Sequence, residues 1–164
     1  MPTYDDTAFR RMRGELVTLA GLTLKVGVVG PGASALEEGS SMTLAELMLV
    51  HEYGTDTIPA RAPIAKTMYA RRADIAALHI RAFKAVLSGE MDARKALGLI
   101  GVQVVAWIKE TIRAGLTPPN APSTIARKGS STPLVDDGQL INSIHFEIVE
   151  VAKAAVPAPG SIAA

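Results

Sequence analysis

Leu22, Leu24, Val26 and Val28 alternate with Thr23, Lys25 and Gly27, the two-residue period of a strand with one buried face, here residues 22–29. On either side the period lengthens to that of a helix. Upstream, Phe9, Met12, Leu16 and Leu19 recur every three to four residues. They predict a helix over 5–20, with Asp5 or Asp6 as its cap, Gly21 as its stop, and Arg10, Arg11 and Arg13 off the apolar face. Residues 31–41, PGASALEEGSS, carry the Pro, Gly and Ser of a surface loop. Thr43 then precedes Glu46 by three positions, the spacing at which each side chain satisfies the other's backbone amide. A helix of about ten residues follows through Leu44, Leu47, Met48 and Val50, and Gly54 is placed to end it.

Pro59 and Pro63 bracket an extended corner, and Pro63 suits the first turn of the next helix. That helix is predicted to run unbroken to Ser88, with Ile64, Met68, Ile75, Leu78, Ala82 and Val86 on its stripe and Gly89 after it. Another follows from Asp92 to Ala114, in which Leu97, Ile100, Val104, Ile108 and Ile112 are in step, Gly101 and Val105 widen the stripe, and Gly115 stops it. Two long helices joined by a few residues pack antiparallel and form the main apolar slab. Residues 117–133 hold four prolines and no acid, with no usable period, which marks either a disordered stretch or a functional, extended arm. DDGQLINSI then forms a short turn or helix, and Ile144, Phe146 and Ile148 alternate with His145 and Glu147 as a closing strand over 144–149. The expected architecture is α+β: two long antiparallel helices and shorter ones on a small, mainly antiparallel sheet. It is one domain over 1–151, with the arm inside it and a flexible Ala- and Pro-rich tail over 152–164.

Composition sharpens this picture. Apolar residues are 48% of the chain and aromatics only 4%, so the core is built from Ala, Val, Leu and Ile. With 164 residues, roughly two-thirds of the unfolded surface can be buried. Lys and Arg number 17 against 16 Asp and Glu, so only local asymmetry of charge can point to a partner. The absence of cysteine excludes disulfides, thiolate catalysis and zinc–cysteine sites, and fits a reducing compartment. The charged N-terminus lacks the apolar run of a signal peptide, and no apolar stretch is long enough to span a membrane. A chain made in the cytoplasm is expected.

Several stretches resemble chemistry and then depart from it. His51-Glu52 begins like an H-E-x-x-H zinc helix, but position 55 is Thr, and His79 and His145 lie in other elements. The alternative is that His51 sits near a helix end and meets a neighbour there. GVVGPGAS, residues 27–34, lacks both the Gly-Lys-Ser/Thr ending of a phosphate loop and the G-x-G-x-x-G spacing. Ser123, Ser130 and Ser131 sit in no nucleophile elbow, and Glu37-Glu38 and Asp136-Asp137 read as solvated charge. No enzyme, cofactor or metal is expected. The one electrostatic feature is the helix after Pro63, where Lys66, Arg71, Arg72, Arg81 and Lys84 face a single Asp74. Those charges are either a solvated face or, if copies form a ring with this face inward, a lining for a polyanion without base readout.

HEYGTDTIPARAPI (51–64) and STPLVDDGQLINSI (131–144) together resemble the tailed-bacteriophage family of small virion-morphogenesis proteins, called tail-completion, neck or head–tail joining proteins. The likeness covers about residues 43–148. It rests on His51, Glu52, Tyr53, Gly54 and Thr55, then Ile58, Pro59, Ala60 and Arg61, and later Lys128, Gly129, Pro133, Leu134, Asp136, Gly138 and Leu140. Ala62 intervenes where the family has Arg followed directly by Pro, and Asp137 stands in place of Thr.

The resemblance implies a structural virion protein at the junction of head connector and tail. It would form a homo-oligomeric ring, a hexamer or dodecamer, that contacts connector or adaptor and tail-tube proteins. Double-stranded DNA would pass through the lumen without sequence recognition, and no membrane is involved. It places subunit contacts at Tyr53, Gly54, Pro59, Arg61 and Pro63, along the arm at Pro118, Asn120, Pro122, Arg127, Lys128 and Pro133, and at Asp136, Gly138 and Leu140. Arg71, Arg72, Arg81 and Lys84 would face DNA. The rival reading is a non-sequence-specific nucleic-acid binder using the basic helix 66–84.

Overall fold

The longest apolar stripe of the chain becomes its axis. In the computed structural model, which describes residues 6–37, 41–119 and 138–151, that stripe is α5 (Ala93–Arg113), with Ile100, Val104, Ile108 and Ile112 almost fully buried. Asp92 caps it by accepting from the Lys95 amide at 2.8 Å. α4 (Arg72–Ser88) folds back on α5 and buries Leu78, Ala82 and Val86 against it. Gly89, with φ +90°, ends α4 in the left-handed conformation a β-carbon would disfavour.

The other side of α5 carries a two-stranded antiparallel sheet, β1 (Leu22–Val28) with β2 (Ile144–Glu150), in the register Leu22↔Glu150 to Val28↔Ile144. A lone two-stranded ribbon is marginal in water. Here Leu24, Val26, Ile144 and Ile148 join the helical core. α1 (Thr7–Ala20), α2 (Leu44–Tyr53), α3 (Pro63–Ala70) and the short α6 (Gln139–Asn142) complete an α+β fold. Among the described residues no helix is long and apolar enough to cross a membrane.

Four expectations need correction. Residues 63–88 are not one helix: the backbone bends at Arg71 (φ −97°, ψ 12°), dividing α3 from α4, so that each part packs on α5. Within α3 the buried positions are Pro63 and Thr67, and Met68 points out. The loop at 31–41 contains a 3-10 turn, Gly30–Ser34, entered through Pro31. Finally, α1 buries no residue fully, and Phe9 and Leu16 are exposed.

Polar contacts at helix ends explain how α1 is nevertheless held. Arg11 donates to the Val86 and Leu87 carbonyls at the C-terminus of α4 (3.2 and 2.9 Å), and the Ala93 amide at the start of α5 donates to Glu15 (2.7 Å). A cation thus meets the negative end of one helix and an anion the positive end of the next. Asp6 does not cap α1; its carboxylate takes Arg10 Nε at 2.6 Å instead, and Asp5 lies outside the described residues.

The capping box forms as the spacing predicts, with the Thr43 amide donating to Glu46 (2.8 Å) and the Glu46 amide to the Thr43 hydroxyl (3.2 Å). The Thr43 amide, then its hydroxyl, holds the Glu46 carboxyl below its ordinary value. Because the folded state has the lower pKa, this contribution is present above the unfolded carboxylate range and fades as pH falls through the folded value. Glu46→Gln is expected to lower the urea midpoint at neutral pH, and the difference from wild type to vanish at strongly acidic pH. A difference constant with pH would mean the carboxylate charge contributes nothing.

Candidate functional site

The stretch His51–Ile64 and the root of the arm meet in one place, and the meeting is made by polar side chains turned onto backbone. Gly54 ends α2 with φ +77° and ψ 177°, a region open to glycine and costly for other residues. The chain then turns tightly. The Thr55 amide donates to the Ile58 carbonyl (2.8 Å), and the Thr55 hydroxyl accepts from the Ile58 amide (3.0 Å). Returning past Pro59, the chain donates the Arg61 and Ala62 amides to the His51 carbonyl, at 2.8 and 3.0 Å. The end of α2 and the start of α3 are thereby sewn together.

Glu52 has a role the sequence alone does not reveal. Its two carboxylate oxygens accept from the Ile64 and Ala65 amides, at 2.9 and 2.8 Å, so it caps α3 from twelve residues away. This replaces the cap the preceding residue cannot give, because Ala62 has no side-chain acceptor and sits in the left-handed region (φ 48°, ψ 54°). Ala62 is thus the residue that absorbs the turn, and α3 starts at Pro63.

Arg61 is 5% exposed. Its Nε donates to the Pro118 carbonyl at 3.0 Å, and its terminal nitrogens reach His51 Nδ1 (3.3 Å) and the Pro119 carbonyl (3.5 Å). Burial lowers its pKa. Lys66 adds a bond to the Thr117 carbonyl at 2.9 Å. Three successive carbonyls at the arm's root are therefore clamped by two cations from the corner. Deeper in, the buried Thr67 hydroxyl bonds that of Thr111 at 2.8 Å, fastening α3 to α5. Arg61→Ala would strand the Pro118 and Pro119 carbonyls, and is expected to cost about 2 kcal/mol. The check is a chemical-denaturation midpoint; an unchanged value would show that the clamp contributes nothing to folding.

The remaining residues singled out from sequence fall into four groups. Tyr53 is 77% exposed and Pro59 is exposed, while Pro63 is buried under the start of α3. Gly138 (φ +84°) opens α6 and Leu140 is buried in the core. Asn120, Pro122, Arg127, Lys128, Pro133 and Asp136 lie outside the described residues, as do Asp137 and most of the arm. Among the four cations assigned to DNA, Arg71 is engaged internally: it pairs with Asp74 (3.3 Å) and Glu110 (3.1 Å) and lies over the Trp107 ring. Arg72 stacks on Tyr69 at 4.8 Å. Arg81 and Lys84 flank an open groove along α4.

His51, His79 and His145 stay apart, in α2, α4 and β2. His79 and His145 bond the Ile75 and Ser143 carbonyls. Among the described residues no three His, Asp or Glu side chains converge in a way that could hold a metal. The site that emerges is a corner-and-clamp device on an α+β scaffold, a class of arrangement that fixes backbone and presents surface. Compared with protein-family models, curated proteins and solved structures, the chain matches none.

Proposed function

We propose that the chain is a structural component of a tailed-phage particle, a homo-oligomeric ring in the neck or tail-completion region that joins the head connector to the tail and leaves a passage for DNA. One observation carries the reading: large apolar side chains stand exposed in helical register on several helices. Among them are Leu49 and Tyr53 on α2, and Ile80, Phe83 and Leu87 on α4. Contiguous apolar surface of this kind signals protein contact. The polar groups of the motif are taken up within the chain, where His51, Glu52 and Arg61 bond neighbouring segments and hold the corner in place. The likeness in sequence to neck and tail-completion proteins supplies the setting.

Both edges of the two-stranded sheet are also without a strand neighbour among the described residues, which leaves room for another chain. Native mass spectrometry of the full chain tests the ring: a hexamer or dodecamer is expected, and a strict monomer at high concentration overturns it. Particles assembled without the protein should accumulate as tailless heads or free tails. Normal particles would exclude a joining role.

The second reading, a nucleic-acid binder, draws on exposed Arg72, Arg81 and Lys84. It requires salt-dependent retention of duplex DNA by the unassembled chain, abolished when these three become Glu.

A further inference from the structure

We infer that the ring is built head to tail, with the outward stripe of α4 on one copy seated on the outward face of α2 and the corner on the next. This inference rests on the ring reading and names the surfaces that make it.

α4 carries apolar residues on two sides. Leu78, Ala82 and Val86 are buried against α5. Ala76, Ile80, Phe83 and Leu87, spaced by four, three and four, fall on one exposed line, and Ile80 is 58% exposed. Arg72 continues that line at its start, and Lys84 and Arg81 flank it beside the groove floored by Ala77 and Ala85. Between Asp74 and Glu90 the sequence holds no acid, and Glu90 already accepts from the Ser88 hydroxyl. The surface is apolar at its centre and cationic at its edge.

A surface of opposite sign exists on the same molecule. Residues 26–60 contain five acids and not one Lys or Arg. In this stretch Glu46, Leu49 and Tyr53 share the exposed side of α2, and Asp56 and Ile58 stand exposed on the corner just beyond. Among the described residues the ion pairs are Arg10–Asp6, Arg71–Asp74, Arg71–Glu110 and Arg94–Glu150. Arg81, Lys84 and Asp56 are in none of them, and Glu46, held by Thr43 in its own capping box, meets no cation there, so both surfaces keep their charge for an outside partner.

A second copy satisfies both surfaces at once. Docked on itself, the α4 stripe would set Arg81 and Lys84 against their own kind, and the α2 face would oppose acid to acid; like charges across an interface are strongly unfavourable. Docked on each other, they match apolar centre to apolar centre and cation to anion. Such a contact is heterologous: every copy uses one face of each kind, and the series closes into a ring when the rotation permits. Nucleic acid fits α4 less well, because Ile80, Phe83 and Leu87 at the centre of the stripe would meet phosphate.

The test uses the full chain, with native mass spectrometry and sedimentation velocity at a concentration where wild type is fully assembled. Far-UV circular dichroism establishes that each variant is folded. R81E/K84E and D56K/T57K alter only exposed positions, and each is expected to lose the ring and run as monomer. An equimolar mixture of the two, or one chain carrying all four substitutions, is expected to recover the wild-type mass, because each α4 again meets an α2 face of opposite sign. Rings formed by either doubly substituted chain alone would overturn the interface while leaving the ring reading intact. Failure of the four-substitution chain to reassemble would equally overturn the pairing. R81E/K84E rings that lose only DNA retention would assign α4 to the lumen instead. A monomeric wild type would overturn the ring and the interface together.

Discussion

Replacing Gly54 with Ala is expected to destabilise the protein by about 3 kcal/mol. Two causes add. At φ +77° and ψ 177° a residue with a β-carbon is strained before it touches anything. The added carbon would also lie 2.7 Å from the Ala60 nitrogen and 2.9 Å from the Ile58 oxygen. Both are backbone atoms inside a closed turn, so neither can swing aside as a flexible side chain would. Relief would require opening the Thr55–Ile58 turn, and with it the bonds from Arg61 and Ala62 to the His51 carbonyl. At roughly 2–4 °C per kcal/mol for a chain of this size, the melting temperature should fall by about 10 °C. The arm root would loosen as well, because Arg61 reaches Pro118 and Pro119 from the far side of that turn. Hydrogen exchange at the Arg61 and Ala62 amides should rise in step. A melting temperature within a degree or so of wild type would mean that the corner is not rigid.

The second large effect is expected at Gly101, where substitution by Val should cost about 2–3 kcal/mol. Gly101 is buried in α5, and a β-carbon there would be driven into the Phe146 ring of β2. The ring cannot simply retreat, since Phe146 is paired with Val26 in the only ladder among the described residues. Gly98 provides the control. It lies one turn earlier in the same helix with nothing within 4 Å of its hypothetical β-carbon. Gly98→Ala should therefore stabilise by up to about 1 kcal/mol through helix propensity alone. Opposite signs for Gly101→Val and Gly98→Ala, read from denaturant midpoints, are the expected result. A double cycle with Phe146→Ala should show coupling, because removing the ring makes room for the valine. Equal effects at the two glycines would show that Phe146 does not hold the sheet to the helix.

These two glycines also mark the limit of what could be read in advance. Gly54 was legible as a helix stop, because a glycine directly after an apolar helical run is a local signal. Gly101 was legible only as part of an apolar stripe; that it seats an aromatic from 45 positions further along follows from the packing of β2 on α5 and from no local pattern. The same division runs through the candidate site. The Thr43–Glu46 cap involves two residues three apart, and the sequence predicted it correctly. Glu52 capping α3, Arg61 gripping Pro118 and Pro119, and Arg11 and Glu15 holding α1 to two helix ends each join elements across 12 to 78 positions.

Periodicity and punctuation therefore determined the order and type of the elements, the α+β class, the strand pair and the positions of the stops. Those properties depend on neighbours within a turn or two. Tertiary structure alone decided the bend at Arg71, the exposure of Phe9 and Leu16, and the burial of Arg61 as a clamp. Each of these is set by which distant surface competes for the residue, and a one-dimensional pattern carries the period of an apolar face but not the identity of what covers it.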